Sequence, residues 1–291
     1  MADIIRFIKL KLRKITVMEK NTFEKEGLKI EGKRLLTYSQ LSCPLDCKYC
    51  FVEDLNFNQK RRVAYLSEKQ FSLLSELPEE INIVMLGCDT EFFQDRQQSI
   101  KILKRLVELK RDISVVTKLS LPVKFIEELS NIEQKLNTNG NFLIFSMSIP
   151  TLNSTTIWEP KAPVPLKRIE TLKTAFELGI KTLIAIRPLL PSIPTLELED
   201  IVTSSKDFCY GFYSGPLYLK EIDSSILGDS AKLKIEKIQP SWMPKGNIFY
   251  KIEKEGQMQE LRDMIKKQGK LFFEGAADAI DYLRNNAKHR V

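Results

Sequence analysis

Three closely spaced cysteines are the residues of this sequence whose types and spacing most directly suggest chemistry. Cys43, Cys47 and Cys50 follow one another with the spacing C-x3-C-x2-C, in a chain that contains five cysteines. Thiolates are the usual ligands of iron–sulfur clusters, and three of them can hold three irons of a cubane cluster. The fourth iron then has no protein ligand and can bind a small molecule. The spacing therefore predicts a cluster with one open iron.

Two other uses of these cysteines fit the chain less well. A structural zinc site usually has four Cys or His ligands, whereas the only histidine, His289, lies in the charged C-terminal tail, and Cys88 and Cys209 are far away in sequence. Disulfides are disfavoured because three neighbouring cysteines cannot all pair and we expect no secretory signal before them. A metal-stabilised binding module without catalytic activity stays open as an alternative.

The composition is that of an ordinary soluble protein. With 291 residues, of which 43% are hydrophobic and 29% charged, the chain can bury a substantial core. Residues 1–17 mix apolar with basic side chains, so we expect neither a signal peptide nor a membrane span, and a cytoplasmic location. The formal charge of +7 and the isoelectric point near 9.0 allow a polyanionic partner without requiring one.

Short apolar runs alternate with helical patterns along most of the chain. This alternation predicts a parallel sheet with right-handed crossovers. In barrels built this way, the chemistry gathers at the carboxyl ends of the strands. The strands are predicted at 35–39, 81–86, 113–117, 142–147, 182–186 and 209–213, and the helices at 68–77, 99–110, 123–136, 167–178, 196–206 and 257–267.

Polar residues follow several of these strands at the point where each strand ends. Gly87 would let the backbone approach a ligand, and Glu91 can accept hydrogen bonds from an ammonium group. Lys118 can pair with a carboxylate. Ser146 and Ser148 are placed to contact ribose hydroxyls. Each residue alone also has a simpler interpretation, such as a helix cap, a solvated charge or a hydroxyl bonded to local backbone.

The next strand end, at residues 184–187, includes Arg187 and can present backbone groups to an adenine ring. We expect these strand-end groups to converge on one ligand, since the carboxyl ends of parallel strands meet at one edge of the sheet.

Together these motifs resemble those of radical S-adenosylmethionine (SAM) proteins, in which the amino and carboxylate groups of SAM bind the open iron. Within that superfamily they are similar to the spore photoproduct lyase group. The resemblance covers about residues 35 to 195. It is carried by Tyr49 between the cysteines, Gly87-Cys88-Asp89-Thr90-Glu91, Val116-Thr117-Lys118, Phe145-Ser146-Met147-Ser148, Glu159-Pro160-Lys161-Ala162-Pro163 with Arg168, and Gly179-Ile180.

The resemblance implies an α/β fold, namely a partial TIM-type (β/α)6 radical SAM barrel with a short N-terminal adaptor and a C-terminal α+β extension. We place the adaptor at residues 1–32, the barrel at 33–215 and the extension, which would help determine the substrate, at 216–291. It also implies a [4Fe-4S] cluster on the three cysteines and contacts of SAM with the strand-end groups. The expected cofactor-binding residues are Tyr49, Gly87, Glu91, Lys118, Ser146, Ser148 and Arg187.

Cys88 and Tyr49 are the expected catalytic residues. In spore photoproduct lyase, a cysteine three residues before the acidic residue of this turn gives a hydrogen atom to the product radical, and Cys88 stands three residues before Glu91. The alternative is a small buried cysteine that only packs. The lyase also has a tyrosine directly after its third cysteine, where this chain has Phe51, which has no hydroxyl.

The activity implied is reductive cleavage of SAM to a 5′-deoxyadenosyl radical that abstracts hydrogen from a nucleobase in DNA or RNA, by a lyase or modifying enzyme of the DNA-repair type. A one-electron reductant such as flavodoxin or ferredoxin would be a partner. The alternative is a radical SAM enzyme for a small molecule or peptide. Basic residues that can track phosphates are Lys60, Arg61, Arg62, Lys245 and Lys251.

Overall fold

An eight-stranded sheet forms the centre of the molecule. The computed structural model describes residues 22–39, 41–52, 54, 65–223, 227–228, 232–241, 243 and 246–287. In spatial order the strands are β1 (Leu28–Glu31), β2 (Arg34–Thr37), β3 (Ile83–Leu86), β4 (Asp112–Thr117), β5 (Leu143–Ser148), β6 (Lys181–Ile186), β7 (Gly211–Ser214) and β11 (Leu271–Phe273). β1 pairs with β2 in an antiparallel hairpin, and all other neighbours are parallel.

A second, three-stranded antiparallel sheet follows in the C-terminal region. Its strands are β8 (Leu217–Leu219), β10 (Phe249–Lys254) and β9 (Leu233–Ile238), in that spatial order. After β2, the helices of the described residues include α1 (Glu68–Ser75), α2 (Arg96–Val107), α3 (Val123–Thr138), the single turn α4 (Thr155–Trp158), α5 (Pro165–Glu177), α6 (Thr195–Ser205), α7 (Gln257–Lys267) and α8 (Ala276–Ala287).

The predicted fold class is confirmed: the parallel strands β2 to β7 follow one another in chain order and are separated by helices, as in a partial barrel. The inner strands are buried on both faces, which explains their nearly continuous apolar sequences.

Two of the helices begin at residues whose side chains cap them. Ser67 and Gln70 form a capping box at α1, and the Asp95 carboxylate accepts from the Gln98 backbone N–H, 3.0 Å away, so α2 begins at Arg96.

The two faces of the main sheet are covered differently. Helices α1 to α7 pack on the outer face, against alternate strand residues such as Val115, Phe145 and Ile184. The other alternate residues point to the inner face, where Ile144 and Leu183 contact Ala279 and Ile280 of α8. The C-terminal helix therefore fills part of the inside of the partial barrel.

Ion pairs hold α8 at the amino ends of the strands. Arg284 makes two hydrogen bonds of 2.7 and 2.6 Å to Asp112 at the start of β4, and Asp281 pairs with Lys33. The residues predicted as a C-terminal extension thus contribute β11 to the main sheet and α8 to its inner face. The predicted domain boundaries themselves stay predictions. Among the described residues, no helix is long and apolar enough to span a lipid bilayer.

Gly87, directly after β3, lies where two strand ends approach closely. Its φ is +79°, and a Cβ atom there would lie 2.6 Å from the Val116 carbonyl oxygen. Its backbone N–H donates to the Tyr65 hydroxyl at 2.6 Å. The position therefore requires glycine for two reasons, the left-handed backbone and the lack of space.

Replacing Gly87 by Ala should destabilise the protein more than replacing Gly140, which matches it in backbone conformation. Gly140 has φ of +72°, but a Cβ atom added there would meet no other atom within 4 Å. We expect Gly140→Ala to lower the free energy of unfolding by about 1 kcal/mol through backbone strain, and Gly87→Ala by about 1–3 kcal/mol more through the added clash. Urea unfolding measures both, and equal losses would show that the approach of Val116 is unimportant.

Candidate active site

A cavity of about 280 Å³ opens at the carboxyl ends of β2 to β6. Nearly all the predicted site residues line it, although they come from separate parts of the chain. They are Cys43, Cys47, Tyr49, Cys50, Gly87, Cys88, Glu91, Lys118, Ser148 and Arg187. The structure therefore brings these side chains to one place, as the parallel topology leads one to expect.

The loop of three cysteines follows β2. Cys43, Cys47 and Cys50 are free thiols, each partly exposed, and each lines the cavity. Within the described part of the chain, no three His, Cys, Asp or Glu side chains are gathered closely enough to share a single metal ion. The three thiols instead lie along the wall of a common cavity, an arrangement compatible with separate irons of a cluster.

A buried network fixes this loop to the polypeptide that follows β5. The Tyr49 hydroxyl donates to Glu159 Oε1, and Arg168 Nη1 donates to Glu159 Oε2 at 2.6 Å. The side chains of Glu159 and Arg168 are fully buried. The Lys48 backbone N–H donates to the Trp158 carbonyl at 2.9 Å, so both backbone and side chain join the loop to α4.

Arg168 extends the network to a strand end. Its Nε donates to the Pro163 carbonyl at 2.7 Å, and its Nη1 also donates to the Ser148 carbonyl at 3.1 Å. Charge-assisted bonds of this kind are stronger than neutral ones. One guanidinium group on α5 therefore positions both the cysteine loop, through Glu159, and the end of β5.

Glu91 is held firmly at the end of the turn after β3. Its Oε1 accepts from the Thr117 hydroxyl at 2.8 Å and the Phe93 backbone N–H at 3.1 Å, and its Oε2 accepts from the Lys118 backbone N–H at 3.0 Å. Burial raises the pKa of its carboxyl, and these hydrogen bonds oppose that effect only in part. A cation bound beside Glu91 would offset the remaining cost of the buried charge.

Lys118 follows β4 and lies on the same side of the cavity as the cysteine loop. Its Nζ is 5.5 Å from the centre of the Tyr49 ring. Burial by itself would lower the pKa of Lys118, but nearby Cys47 and Glu159 outweigh it, so the pKa is raised. Lys118 is thus a stable cation, as binding of a carboxylate requires.

The two serines of β5 differ in position. Ser148 lines the cavity, and its hydroxyl lies 3.5 Å from the Arg187 carbonyl. Ser146 is fully buried, two residues earlier on the same face of the strand, and is not among the residues that line the cavity. The period of two in a strand predicts the face of a side chain but not the depth at which a cavity ends.

Cys88 lines the cavity, and like Phe51 and Tyr218 it packs against a small apolar cluster that includes Tyr38 and Phe249. Its Sγ lies 3.5 Å from the Met85 carbonyl oxygen. Burial raises the pKa of this thiol to about 12. The thiol therefore keeps its proton at neutral pH, and its S–H group is retained.

Several residues of the site were not singled out by the sequence. Thr117 donates a hydrogen bond to Glu91, and the only feature of the sequence that points to this role is its position at the end of β4. Tyr218 comes from the small sheet, in a segment without a clear pattern. Glu159 and Arg168 belong to a motif that carries the resemblance, but the sequence assigns them no role.

Among the basic residues predicted to track phosphates, Lys251 forms an ion pair with Glu253 and does not line the cavity. The others, Lys60, Arg61, Arg62 and Lys245, lie outside the described residues, as does His289.

The buried carboxyl of Glu91 predicts a pH dependence of stability. An acid whose pKa is raised on folding favours the folded state at low pH, and this contribution is lost as the pH rises above its ordinary value of 4.5 through the raised value. Relative to Glu91→Gln, the protein without cofactors should therefore become less stable as the pH rises across this range. Urea unfolding at a series of pH values measures the difference, and a difference that does not vary with pH would contradict the account.

No family model matches the chain. An uncharacterised protein of Methanocaldococcus jannaschii is 25% identical over 202 residues, which are 66% of this chain and 73% of that protein.

Two solved structures are similar in fold. SuiB of Streptococcus suis, bound to S-adenosylmethionine, has a TM-score of 0.56 at 15% identity over 87% of this chain. Spore photoproduct lyase, complexed with dinucleoside spore photoproduct, has a TM-score of 0.55 at 14% identity and covers 78% of this chain and 72% of the lyase. The chain spans 52% of the length of SuiB, about half. The chain therefore has the fold of the radical SAM enzymes that its motifs resemble, including spore photoproduct lyase.

Proposed function

We propose that this protein is a radical SAM enzyme with a [4Fe-4S] cluster on Cys43, Cys47 and Cys50. The observation that carries the proposal is that these thiols line one cavity together with Glu91 and Lys118. The fold, which it has in common with a SAM-bound protein, supports the same conclusion.

The residues present fit both groups. Three free thiols facing one cavity can ligate a cluster and leave one iron toward that cavity. Glu91 and Lys118 carry opposite charges and suit the ammonium and carboxylate ends of an amino acid. When bound, cluster and SAM together supply a 5′-deoxyadenosyl radical that takes a hydrogen atom from the substrate.

The residues of the chain would bind SAM, orient it and shield it from solvent. Glu91 would accept from the amino group of SAM, Lys118 would donate to its carboxylate, and Gly87 would leave room for SAM to approach the backbone. Ser148, which lines the cavity, would contact a ribose hydroxyl, and Tyr49 holds the cysteine loop in place through Glu159. Ser146 is buried two residues before Ser148 and does not line the cavity, so we assign it no direct contact with SAM.

For the substrate we propose a nucleobase, in a nucleic acid or a fragment of one, with lyase or modification activity of the DNA-repair type. Support comes from the similar fold of a lyase complexed with a dinucleoside and from the net charge of +7. A base in a duplex would have to leave the stack to reach a cavity at the strand ends, and a damaged or unpaired base does so most readily. A one-electron reductant such as flavodoxin or ferredoxin would serve as partner.

A series of cysteine variants tests the proposal. After anaerobic reconstitution, the unsubstituted protein should hold about four irons per chain and form 5′-deoxyadenosine from SAM with dithionite. Cys43→Ala, Cys47→Ala and Cys50→Ala should each lose the iron and this product, because each removes a ligand. Cys209→Ala is the matched control: Cys209 is buried away from the cavity. Failure of the unsubstituted protein to form 5′-deoxyadenosine would leave only a metal-stabilised binding module.

The same series tests Cys88 as hydrogen donor. Cys88→Ala should keep the iron of the unsubstituted protein, since Cys88 is not a proposed ligand. With dinucleoside spore photoproduct as trial substrate in D₂O, the unsubstituted protein should place solvent deuterium in the product, because the Cys88 S–H exchanges with solvent. Cys88→Ala should change the ratio of products and lose this label. Identical products from both proteins would make Cys88 a packing residue.

A further inference from the structure

One part of the cavity wall comes from elements outside the cysteine loop. It includes Cys88, Arg187 and Tyr218, which come from the end of β3, the end of β6 and strand β8. Neither Arg187 nor Tyr218 belongs to the pair, Glu91 and Lys118, that we propose to hold SAM, and both line the same cavity.

Tyr218 is turned into the cavity by the alternation of β8. Leu217 and Leu219 on either side of it are buried in the main core, so the Tyr218 ring points to the opposite face. There it packs, like Cys88 and Phe51, against a small apolar cluster that includes Tyr38 and Phe249. An aromatic ring that lines a cavity beside other aromatic residues provides a surface on which a planar ligand can stack.

Arg187 stands at the mouth of the same cavity. Its side chain is exposed yet supported: a Cβ atom at Gly215 would lie 3.1 Å from Arg187 Nε and 3.5 Å from Cζ. The guanidinium group therefore rests on the backbone of the short loop that leads from β7 to Tyr218. Gly215 leaves room for this contact, since a Cβ atom there would lie closer to Nε than most side-chain contacts do.

The charge of Arg187 acts on the inside of the cavity. It favours the ionised forms of Cys88 and of Tyr213, in both cases against the larger effect of burial, which raises their pKa values. A guanidinium group is the side chain best suited to bind a phosphate, because it can donate two parallel hydrogen bonds. The backbone of Arg187 is turned the other way, with its carbonyl toward Ser148.

We propose that Tyr218 and Arg187 form a substrate subsite beside Cys88, which takes a planar ring on Tyr218 and an attached phosphodiester on Arg187. The substrate class is thus a nucleotide unit with an anionic linkage. This inference rests on the proposed function, since it places the ring next to the thiol that would donate hydrogen. It also assigns a role in substrate choice to the C-terminal region, which supplies Tyr218.

Two matched probes test the charge requirement. Thymidylyl-thymidine carries one phosphodiester, and its methylphosphonate analogue has nearly the same shape without the charge. We expect the reconstituted protein with SAM to bind the phosphodiester about tenfold more tightly, as one charge-assisted contact gives. The preference should vanish in Arg187→Gln and persist in Arg105→Gln, an equal loss of charge on the outer face of α2. Equal binding of the two probes, or no binding of either, overturns the proposal.

Tyr218 variants test the stacking surface by calorimetric titration of the same probe. Tyr218→Phe should bind thymidylyl-thymidine like the unsubstituted protein, and Tyr218→Leu should bind it at least about tenfold more weakly. Tyr210→Leu, at an exposed position outside the cavity, is the control. An equal effect of the two leucine variants would overturn the role of Tyr218.

SAM cleavage by the unsubstituted protein is a separate readout. Cleavage without a phosphodiester preference refutes only the subsite, whereas no cleavage refutes the proposed function.

Discussion

The buried ion pair between Arg168 and Glu159 is the interaction on which the rest of the candidate site depends. Both side chains are fully excluded from solvent, where either charge alone would be strongly unfavourable. Because Glu159 also accepts the Tyr49 hydroxyl, the pair joins the cysteine loop to the segment after β5. Because Arg168 also binds the Ser148 carbonyl, the same guanidinium group aligns a strand end with that loop. A loop of three cysteines has no regular structure of its own, and this network gives it a fixed position.

The charge of Glu91, in the same cavity, is balanced less completely by its surroundings. Burial disfavours the ionised form of Glu91, so the protein gives up stability there unless a cation is bound. Such local cost is typical of sites whose groups are oriented before the ligand arrives. The C-terminal region completes the enclosure, since α8 fills the inner face of the sheet and β8 supplies Tyr218. It therefore belongs to the architecture of the site as much as to the periphery of the fold.

The sequence predicted most of the framework because parallel strands buried on both faces leave a strong apolar signal. Glu91 and Lys118 follow such strands directly, so their convergence is a consequence of the parallel topology. The small sheet was not located in advance, since Tyr218 lies on a three-residue strand whose partner, Lys251, comes 33 residues later in the chain. The sequence predicts Ser146 at the cavity because the alternation of the strand shows which face of the sheet a side chain lies on. It does not show how deep along the strand the cavity reaches. The role of Arg168 was also out of reach, since a buried arginine on a helix cannot be distinguished in sequence from an exposed one.

The central claim is that a cluster on the three cysteines has one open iron and that this iron binds the amino acid end of SAM. Electron–nuclear double resonance on the reduced, reconstituted protein measures this directly when SAM carries ¹⁵N in its amino group. We expect a ¹⁵N coupling to the cluster signal, absent when SAM is unlabelled. A cluster signal that shows no ¹⁵N coupling and does not change when SAM is added would contradict it.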